Sequence, residues 1–315
     1  MKTRVLVVIA LALVAGVDVG AAVWEPAAGH TQVPIWPGEA PLAQSVEGPE
    51  TLAVVNHLIA GKPWTAAMRV TRPTMTVYSP ATKNTGVAVI VLPGGGYKTL
   101  AIDLEGTEIC DWFVARGITA ILLKYRVPDS GPHWDADVRH HVDPKTPMAL
   151  ADAQRTVGLV RARARELNVD PHKIGVLGFS AGGHLVADVS THFERRAYPA
   201  VDARDTVSCR PDFAVAIYPG HMREHTTHEF ELNSTLPVSG RTPPTFLLQA
   251  VTDPVDPVEN SLVYYIALKK ARVPVELHLY GKGGHAFGLR RTTDPVTRWP
   301  ELVESWLRSI GILAE

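Results

Sequence analysis

Short apolar segments recur between residues 74 and 280 and indicate the architecture. Most are nearly continuous runs of aliphatic and aromatic residues, which is typical of parallel strands buried on both faces. The segment at 74–78 instead alternates apolar and polar positions near two prolines, as an early or edge strand does. The pattern predicts strands at 74–78, 87–92, 118–125, 174–177, 213–218, 245–250 and 275–280.

Between these strands, apolar residues recur every three or four positions, which is the spacing of amphipathic helices. The predicted helices are 105–116, 148–167, 183–190, 258–270 and 299–310. Because strand and helix alternate from residue 87 to residue 310, we expect an α/β fold with a mostly parallel central sheet and helices on both faces. A chain of 315 residues suits one such domain.

Two segments lie outside this alternation. Residues 23–66 are rich in proline, glycine and tryptophan and show little periodicity, so we expect an extended N-terminal arm on the surface of the domain at 23–315. Residues 127–147 are polar and predict a loop. The arm is expected either to cover apolar surface or to contribute to the rim of a functional site.

The stretch KIGVLGFSAGGH at 173–184 carries the strongest chemical signal. An apolar strand runs into Gly178-Phe179-Ser180-Ala181-Gly182, and a helix can follow at once. Strand, sharp turn and helix form the context in which G-x-S-x-G presents a nucleophilic serine, so we predict Ser180 as the nucleophile. The first free N–H groups of the helix, including that of Ala181, point towards the reacting atoms.

A second glycine-rich loop follows the strand at 87–92, with the sequence Pro-Gly-Gly-Gly-Tyr at 93–97. Glycines directly after a central strand leave backbone N–H groups bare, which is what an oxyanion hole requires. We therefore predict that Gly95 and Gly96 stabilise an oxyanion together with Ala181. A simple flexible turn is the alternative interpretation.

The base and its partner are expected at the carboxyl ends of strands, where functional groups of a parallel sheet collect. Asp253 follows the strand at 245–250, and His285 lies among glycines after the strand at 275–280. Asp256 is the reserve candidate for the acid, and His278, within its strand, is the rival base. The order Ser180, Asp253, His285 is the order found in α/β hydrolases.

Net charge and histidine spacing indicate whether the chain is expected to bind nucleic acid, a membrane surface or a metal ion. The formal net charge is −1 and no basic run stands out, which gives no general attraction to nucleic acid or to an anionic membrane. His221, His225 and His228 have spacings that a metal site could use, but no carboxylate–histidine pattern accompanies them, and we predict solvated loop histidines instead. The chemistry that we expect needs no metal and no organic cofactor.

The first 22 residues resemble a targeting segment. Lys2 and Arg4 precede an apolar stretch at 5–16 that is too short to span a bilayer comfortably, and small residues follow at 20–22. We predict a secretory signal peptide at 1–22 and a secreted or periplasmic protein with no membrane contact after cleavage. An uncleaved membrane anchor is the alternative.

Two pairs of residues invite a structural interpretation. Asp152 and Arg155 lie one turn apart on the helix at 148–167, and we expect them to form a polar pair. Cys110 and Cys209 are the two cysteines, and an exported chain could join them. We expect two separate buried thiols, because a core of this size needs no covalent staple.

Several blocks of the sequence resemble secreted α/β-hydrolase carbohydrate esterases of the acetyl xylan esterase and feruloyl esterase type. These blocks are IWPGEAP, VLPGGGYKTLAIDLEG, LKYRVP, LADAQRTVGLVR, IGVLGFSAGGHL, CRPDFAVAIYPG, VTDPVDPVENS and GGHAFG. The resemblance implies deacetylation of plant cell-wall polysaccharide, with Ser180, Asp253 and His285 as the triad and Gly94 to Gly96 as the glycine loop. Pro93 stands where related lipases have histidine.

Other functions remain open alternatives. They are a general short-chain esterase or lipase, a serine peptidase of the prolyl-oligopeptidase kind, and a binding protein on an inactive hydrolase fold. For the leading interpretation, an acetylated carbohydrate is the expected substrate, and Tyr97 and Trp134 are candidate substrate contacts through aromatic stacking. The sequence makes no prediction of oligomeric state.

Overall fold

The computed structural model describes residues 19–20, 23–44, 46–128, 133–135, 140–142, 146–224 and 230–314. Its strands are β1 Val19–Gly20, β2 Gln32–Pro34, β3 Thr51–Ile59, β4 Lys62–Met68, β5 Thr74–Tyr78, β6 Ala88–Leu92, β7 Thr99–Ala101, β8 Thr119–Lys124, β9 His133–Asp135, β10 His140–Val142, β11 Ile174–Phe179, β12 Phe213–Ile217, β13 Thr245–Ala250 and β14 Val275–Tyr280. Its α-helices are α1 Glu108–Val114, α2 Pro147–Ala162, α3 Ala181–Thr191, α4 Glu259–Lys270 and α5 Trp299–Ser309.

The central sheet has eight strands in the order β14-β13-β12-β11-β6-β8-β5-β2. The six strands from β14 to β8 are parallel, whereas β5 and β2 are antiparallel at one edge. Every residue of β6, β8, β11, β12 and β13 is buried, because these strands are covered on both faces. The predicted α/β fold with a mostly parallel sheet is confirmed.

The core of the domain is one continuous cluster that includes these strands and the helices packed on them. Helix α3 packs against β11 and β12, and α1 packs against β8. The largest apolar side chain with no exposure is Trp299, at the start of α5, and its Nε1 donates a hydrogen bond to the carbonyl of Gly288 at 2.7 Å. The loop after β14 is thereby tied to the core.

The helix predicted at 105–116 differs from the observed one at its start. Residues Asp103–Thr107 form a π-helical turn, and only then does α1 begin at Glu108. Such wide turns recur at functional sites because they re-aim one side chain relative to the helix that follows. Here the turn carries the buried carboxyl group of Glu105.

The predicted extended arm at 23–66 is wrong for its last part. Strands β3 and β4 form an antiparallel hairpin with a turn at Ala60 and Gly61, in a second sheet of order β1-β3-β4-β7. β1, whose two residues lie in the predicted signal peptide, pairs with β3. The hairpin is not predicted from the sequence because neither strand, TLAVVNHLI in β3 and KPWTAAM in β4, shows the regular alternation that marks a half-buried strand.

Asp152 and Arg155, which were predicted to pair with each other, each contact the first part of the N-terminal arm instead. Asp152 binds Arg126 at 2.8 Å and accepts a 2.8 Å hydrogen bond from Nε1 of Trp36. Arg155 instead binds Asp202 and donates to the carbonyl of Ile35. The prediction that Asp152 and Arg155 pair with each other is wrong, because Asp152 forms its ion pair with Arg126 and Arg155 forms its ion pair with Asp202.

The remaining expectations concern the segment at 127–147, the two cysteines, membrane-spanning helices and the signal peptide. The segment at 127–147 contains a short hairpin, β9 with β10, in place of a continuous loop. Cys110 and Cys209 are both buried and unbonded, as expected. No helix among the described residues is long and apolar enough to cross a bilayer. The predicted signal peptide lies almost wholly outside the described residues.

Candidate active site

Ser180 lies at the apex of a tight turn between β11 and α3. Its backbone φ is 53° and its ψ is −121°, an unfavourable conformation for a residue with a Cβ atom, which costs about 1–3 kcal/mol. The turn is possible because α3 approaches β6 closely. A Cβ atom on Gly182 would lie 2.1 Å from the carbonyl oxygen of Leu92, so only glycine fits there. The strain lifts the Ser180 hydroxyl out of the helix towards the loops after β13 and β14.

His285 connects Ser180 to a buried carboxylate. Its Nε2 lies 2.9 Å from Oγ of Ser180, and its Nδ1 lies 2.7 Å from Oδ2 of Asp253. The Asp253 side chain has no exposed surface, and its Oδ1 accepts N–H bonds from Val255 and Asp256. These contacts hold the carboxylate in one orientation, which in turn selects the tautomer with its proton on Nδ1. The structure brings Ser180, Asp253 and His285 together in the predicted order.

The rival candidates lie elsewhere. His278, within β14, is bonded to Glu276 at 2.6 Å, so it belongs to the surface of the edge strand. Asp256 does not take the acid position on Nδ1 of His285. Its Oδ2 is 3.3 Å from Oγ of Ser180 and 3.7 Å from Nε2 of His285, on the side of the serine.

The acidic groups around His285 favour its protonated, positively charged form. Burial alone lowers the pKa of His285, but the hydrogen bond to Asp253 and the charges of Asp256 and Glu105 outweigh burial, so the pKa is raised above its usual value. Burial also raises the pKa values of Asp256 and Glu105. Three carboxyl groups near one imidazole therefore stabilise the imidazolium that forms when a serine proton is taken up.

The predicted oxyanion-hole residues Gly95 and Gly96 line the same pocket as Ser180, and Ala181 follows the serine directly in the chain. The backbone N–H groups of Gly95, Gly96 and Ala181 have no hydrogen-bond acceptor among the described residues. Gly95 adopts φ +136°, and a Cβ atom on it would lie 2.2 Å from the carbonyl oxygen of Thr99, so the loop can fold back only with glycine at this position. Its carbonyl accepts N–H bonds from Lys98 and Thr99, which keeps the loop tight.

A buried polar network that the sequence analysis missed fixes this loop. Oε2 of Glu105 accepts the N–H of Gly94 at 2.7 Å, and Oε1 accepts the hydroxyl of Tyr218 at 2.9 Å. The same hydroxyl accepts the N–H of Gly288, in the loop that carries His285. Glu105 thus ties the glycine loop and the histidine loop to one another. Nothing in the sequence distinguishes Glu105 from Asp103, Glu108 and Asp111, the other acidic residues of the same stretch.

Ser180 and His285 open into a pocket of about 520 Å³. The lining combines an aromatic ring, polar groups and the glycine loop: Trp64, Gly95, Gly96, Ala101, Leu104, Glu105, Ser180, His221, Arg223, Val255, Asp256, Pro257, Asn260, His285 and Ala286. Trp64 comes from the hairpin strand β4, Arg223 from the connection after β12, and Asn260 from the first turn of α4. These three are not among the predicted site residues, although Asn260 lies within the block VTDPVDPVENS, because the sequence does not show which side chains turn towards a pocket.

The two predicted substrate contacts have different outcomes. Tyr97 is completely buried behind the glycine loop, and its hydroxyl is bonded to Nδ1 of His184 at 2.7 Å, so it does not line the pocket and the prediction is wrong. Its ring packs beside Tyr125 instead. Trp134 lies in β9, and its side chain is outside the described residues, so its role stays a prediction.

Among the described residues, no cluster of histidine, cysteine, aspartate and glutamate is arranged to hold a metal ion. His221, one of the three histidines with metal-like spacing, lines the pocket. His225 and His228 lie outside the described residues.

The geometry of the site agrees with the families and proteins to which the sequence is similar. The family model described as the prolyl oligopeptidase family matches residues 143–310, just over half of the chain, and a model described as BD-FAE matches residues 75–198. An acetylxylan esterase of Xylanibacter ruminicola is 28% identical over 71% of this chain and 46% of its own length. An endo-1,4-beta-xylanase B of Butyrivibrio fibrisolvens is 29% identical over 62% of this chain and 32% of its own length.

The chain therefore spans less than half the length of these curated relatives. A solved structure matches over nearly its whole length: the acetyl ester-xyloside bifunctional hydrolase of Caldicellulosiruptor lactoaceticus, with 34% identity, a TM-score of 0.69 and coverage of 90% of this chain and 97% of that one. Together with the family match and the mostly parallel sheet, these likenesses place the protein in the prolyl oligopeptidase family of α/β hydrolases, with an acetylxylan esterase among its relatives.

Proposed function

We propose that the protein is a serine carboxylic ester hydrolase that removes acetyl groups from xylan-type plant cell-wall polysaccharide or its oligosaccharides. The observation that carries the proposal is the hydrogen-bonded chain from Ser180 through His285 to Asp253, beside three backbone N–H groups that have no acceptor in the part of the chain that the structure describes. The acetyl and xylan parts of the proposal are supported by the resemblance to an acetylxylan esterase and to an acetyl ester-xyloside hydrolase.

The first half of the reaction forms an acyl-enzyme. His285 takes the proton from Oγ of Ser180, which attacks the ester carbonyl carbon. Asp253 keeps the imidazole in the required tautomer and stabilises the imidazolium. The carbonyl oxygen becomes an oxyanion and accepts hydrogen bonds from the N–H groups of Gly95, Gly96 and Ala181. Each such donor contributes on the order of 3 kcal/mol to the transition state.

The second half releases acetate. His285 donates its proton to the leaving sugar oxygen, so the C–O bond breaks and the alcohol departs. A water molecule then takes the place of the alcohol, gives a proton to His285 and attacks the acetyl carbonyl. Collapse of that intermediate returns the proton to Ser180 and frees acetate. The sequence of steps uses no metal and no organic cofactor.

The pocket suits a sugar ester better than a simple aliphatic one. Trp64 offers an aromatic face and Arg223 offers a guanidinium group within the same pocket of about 520 Å³. An aromatic ring combined with hydrogen-bonding side chains is what a ring with one apolar face and several hydroxyl groups requires. These residues therefore replace Tyr97 as proposed substrate contacts.

Export is part of the proposal, since xylan lies outside the cell. The leader at 1–22 supports a secreted or periplasmic location. Expression of the full chain in a bacterial host, followed by mass spectrometry of the N-terminus in each cell fraction, tests it. An uncleaved protein that stays with the membrane fraction contradicts it.

The activity is tested by acetate release from acetylated xylan, beside hydrolysis of 4-nitrophenyl acetate and 4-nitrophenyl butyrate. The wild type is expected to act on xylan, and Ser180→Ala, with the same thermal unfolding temperature, is expected to lose activity on all three. Hydrolysis of the nitrophenyl esters alone would indicate a general short-chain esterase. Cleavage of a proline-containing peptide, without esterase activity, would indicate a peptidase of the prolyl oligopeptidase kind.

A further inference from the structure

Asp256 is a carboxylate at the reaction centre that the triad does not need. Its Oδ2 lies 3.3 Å from Oγ of Ser180, and its side chain lines the substrate pocket with 14% of its surface exposed. Asp253 already occupies the acid position on His285. A second carboxylate within reach of the nucleophile therefore requires another explanation.

The surroundings of Asp256 are shaped to hold it there. A Cβ atom on Gly220 would lie 2.6 Å from Oδ1 and 2.9 Å from the carboxylate carbon, so this glycine leaves the space that the carboxylate occupies. The backbone carbonyl of Asp256 accepts a hydrogen bond from Nε2 of Gln249 at 2.6 Å, and its N–H donates to Asp253. The chain is thus fixed on both sides of the residue.

The carboxylate itself has acceptor capacity to spare. Among the described residues, its one hydrogen-bond donor is the hydroxyl of Ser180, and that single proton is also directed to His285. A carboxylate accepts up to about four hydrogen bonds. When Ser180 gives its proton to His285, Asp256 loses this hydrogen bond and keeps only the longer-range attraction of the imidazolium, whose Nε2 is 3.7 Å away.

The charge of Asp256 stabilises the imidazolium, but it also repels the negative charge that develops on the attacked carbonyl oxygen and on the leaving oxygen. This repulsion is weakened when the substrate brings a hydrogen-bond donor of its own. The leaving oxygen must lie next to Nε2 of His285 to receive a proton, and Nε2 is 3.7 Å from Oδ2 of Asp256. A hydroxyl on the carbon next to the ester carbon is therefore within reach of the carboxylate.

We propose that Asp256 accepts a hydrogen bond from the free hydroxyl group adjacent to the ester, so that the enzyme selects monoacylated 1,2-diols over esters that lack this hydroxyl. The proposal deepens the proposed function, on which it rests for the sugar as substrate, because a xylose unit acetylated at one position keeps a free neighbouring hydroxyl. A unit acetylated at both positions has no such donor and is a poorer substrate for the first cleavage.

The selection works mainly by exclusion. A site built to bond a hydroxyl group rejects an analogue that lacks it, since the polar group of the protein is then left without a partner. Full burial would make the discrimination very large, but Asp256 is partly open to solvent, and water can replace part of the missing bond. We expect a preference of about tenfold to a hundredfold in kcat/KM.

The test uses substrates without a sugar, so it stands apart from the proposed action on xylan. The three probes are the acetates of trans-1,2-cyclohexanediol, of trans-2-methoxycyclohexanol and of cyclohexanol. The methoxy group preserves the electronic effect of the hydroxyl and removes the donor, and the unsubstituted ring controls for size. Each kcat/KM is divided by the rate constant for hydroxide-catalysed hydrolysis of the same ester.

We expect the wild type to prefer the hydroxy ester over both others by about tenfold or more. Asp256→Ala should reduce this preference to within about twofold of unity, and Asp256→Val is the second variant in case the first does not fold. Asp111→Asn, on the exposed side of α1, is the matched control and should keep the wild-type preference.

Two results would overturn the proposal. One is a wild type that hydrolyses the methoxy and hydroxy esters equally, which needs no variant to be folded. The other is a folded Asp256→Ala that keeps the preference. If the wild type prefers the hydroxy ester but releases no acetate from acetylated xylan, the role of Asp256 stands and only the polysaccharide assignment falls.

Discussion

Replacement of Asp256 by asparagine removes a negative charge 3.7 Å from Nε2 of His285 while it preserves the shape of the side chain. That charge is one of the causes that raise the pKa of the histidine, together with the bond to Asp253 and the charge of Glu105. Since the charge stabilises the imidazolium, its removal must lower the pKa. A lower pKa leaves the neutral base available at more acidic pH.

The size of the shift follows from the distance. Two unit charges at 3.7 Å interact by ~1 kcal/mol at the dielectric constant of water and by ~4.5 kcal/mol at an effective value of 20. The partial exposure of Asp256 and its own raised pKa, which keeps part of the population uncharged at acidic pH, favour the lower figure. One pKa unit corresponds to about 1.4 kcal/mol, so we expect a decrease of about one unit.

The assay is the pH dependence of kcat/KM for 4-nitrophenyl acetate, whose acidic limb reports the pKa of the base in the free enzyme. This ester has no neighbouring hydroxyl group, so the readout is independent of the substrate contact proposed for Asp256. The acidic limb of Asp256→Asn should move to lower pH by about one unit. A limb that stays in place, or that moves to higher pH, would refute the electrostatic reasoning.

Two further predictions concern stability. Gly182→Ala places a Cβ atom 2.1 Å from the carbonyl oxygen of Leu92 and should lower the free energy of unfolding in urea by about 1–3 kcal/mol or more, whereas Gly281→Ala, with open space around it, should leave it nearly unchanged. Asp152→Ala leaves the buried guanidinium of Arg126 without its carboxylate and should cost about 3–5 kcal/mol by the same measurement; an equal stability of variant and wild type would contradict the buried pair.

The pattern of apolar residues determined most of the central sheet. Strands β5, β13 and β14 begin and end at the predicted residues. The other predicted strands, β6, β8, β11 and β12, differ from the prediction by one or two residues at one or both ends. A strand buried on both faces is apolar throughout, and β5 and β14 alternate apolar and polar residues, so both kinds of pattern mark the ends of a strand locally in the sequence. Helix ends were less well predicted, because capping turns and the π-helical turn at Asp103–Thr107 depend on contacts with other elements.

Position relative to the strands also predicted the residues that form the chain of hydrogen bonds from Ser180 to Asp253. Each of these residues lies within five residues of the carboxyl end of a strand, and the carboxyl ends of parallel strands meet at one edge of the sheet. Position along the chain was therefore enough to bring Ser180, Asp253 and His285 together, and to place the free N–H groups of the glycine loop beside them.

Only the tertiary structure decided which other side chains face the pocket. Trp64 arrives on a hairpin that has no strong sequence pattern, Tyr97 turns away into the core, and Glu105 becomes a buried link between two loops. Asp256 lies only three residues from Asp253, yet one carboxylate orients the histidine and the other faces the serine. Local sequence determines where a strand ends, but the direction of a loop side chain depends on which distant elements leave room for it.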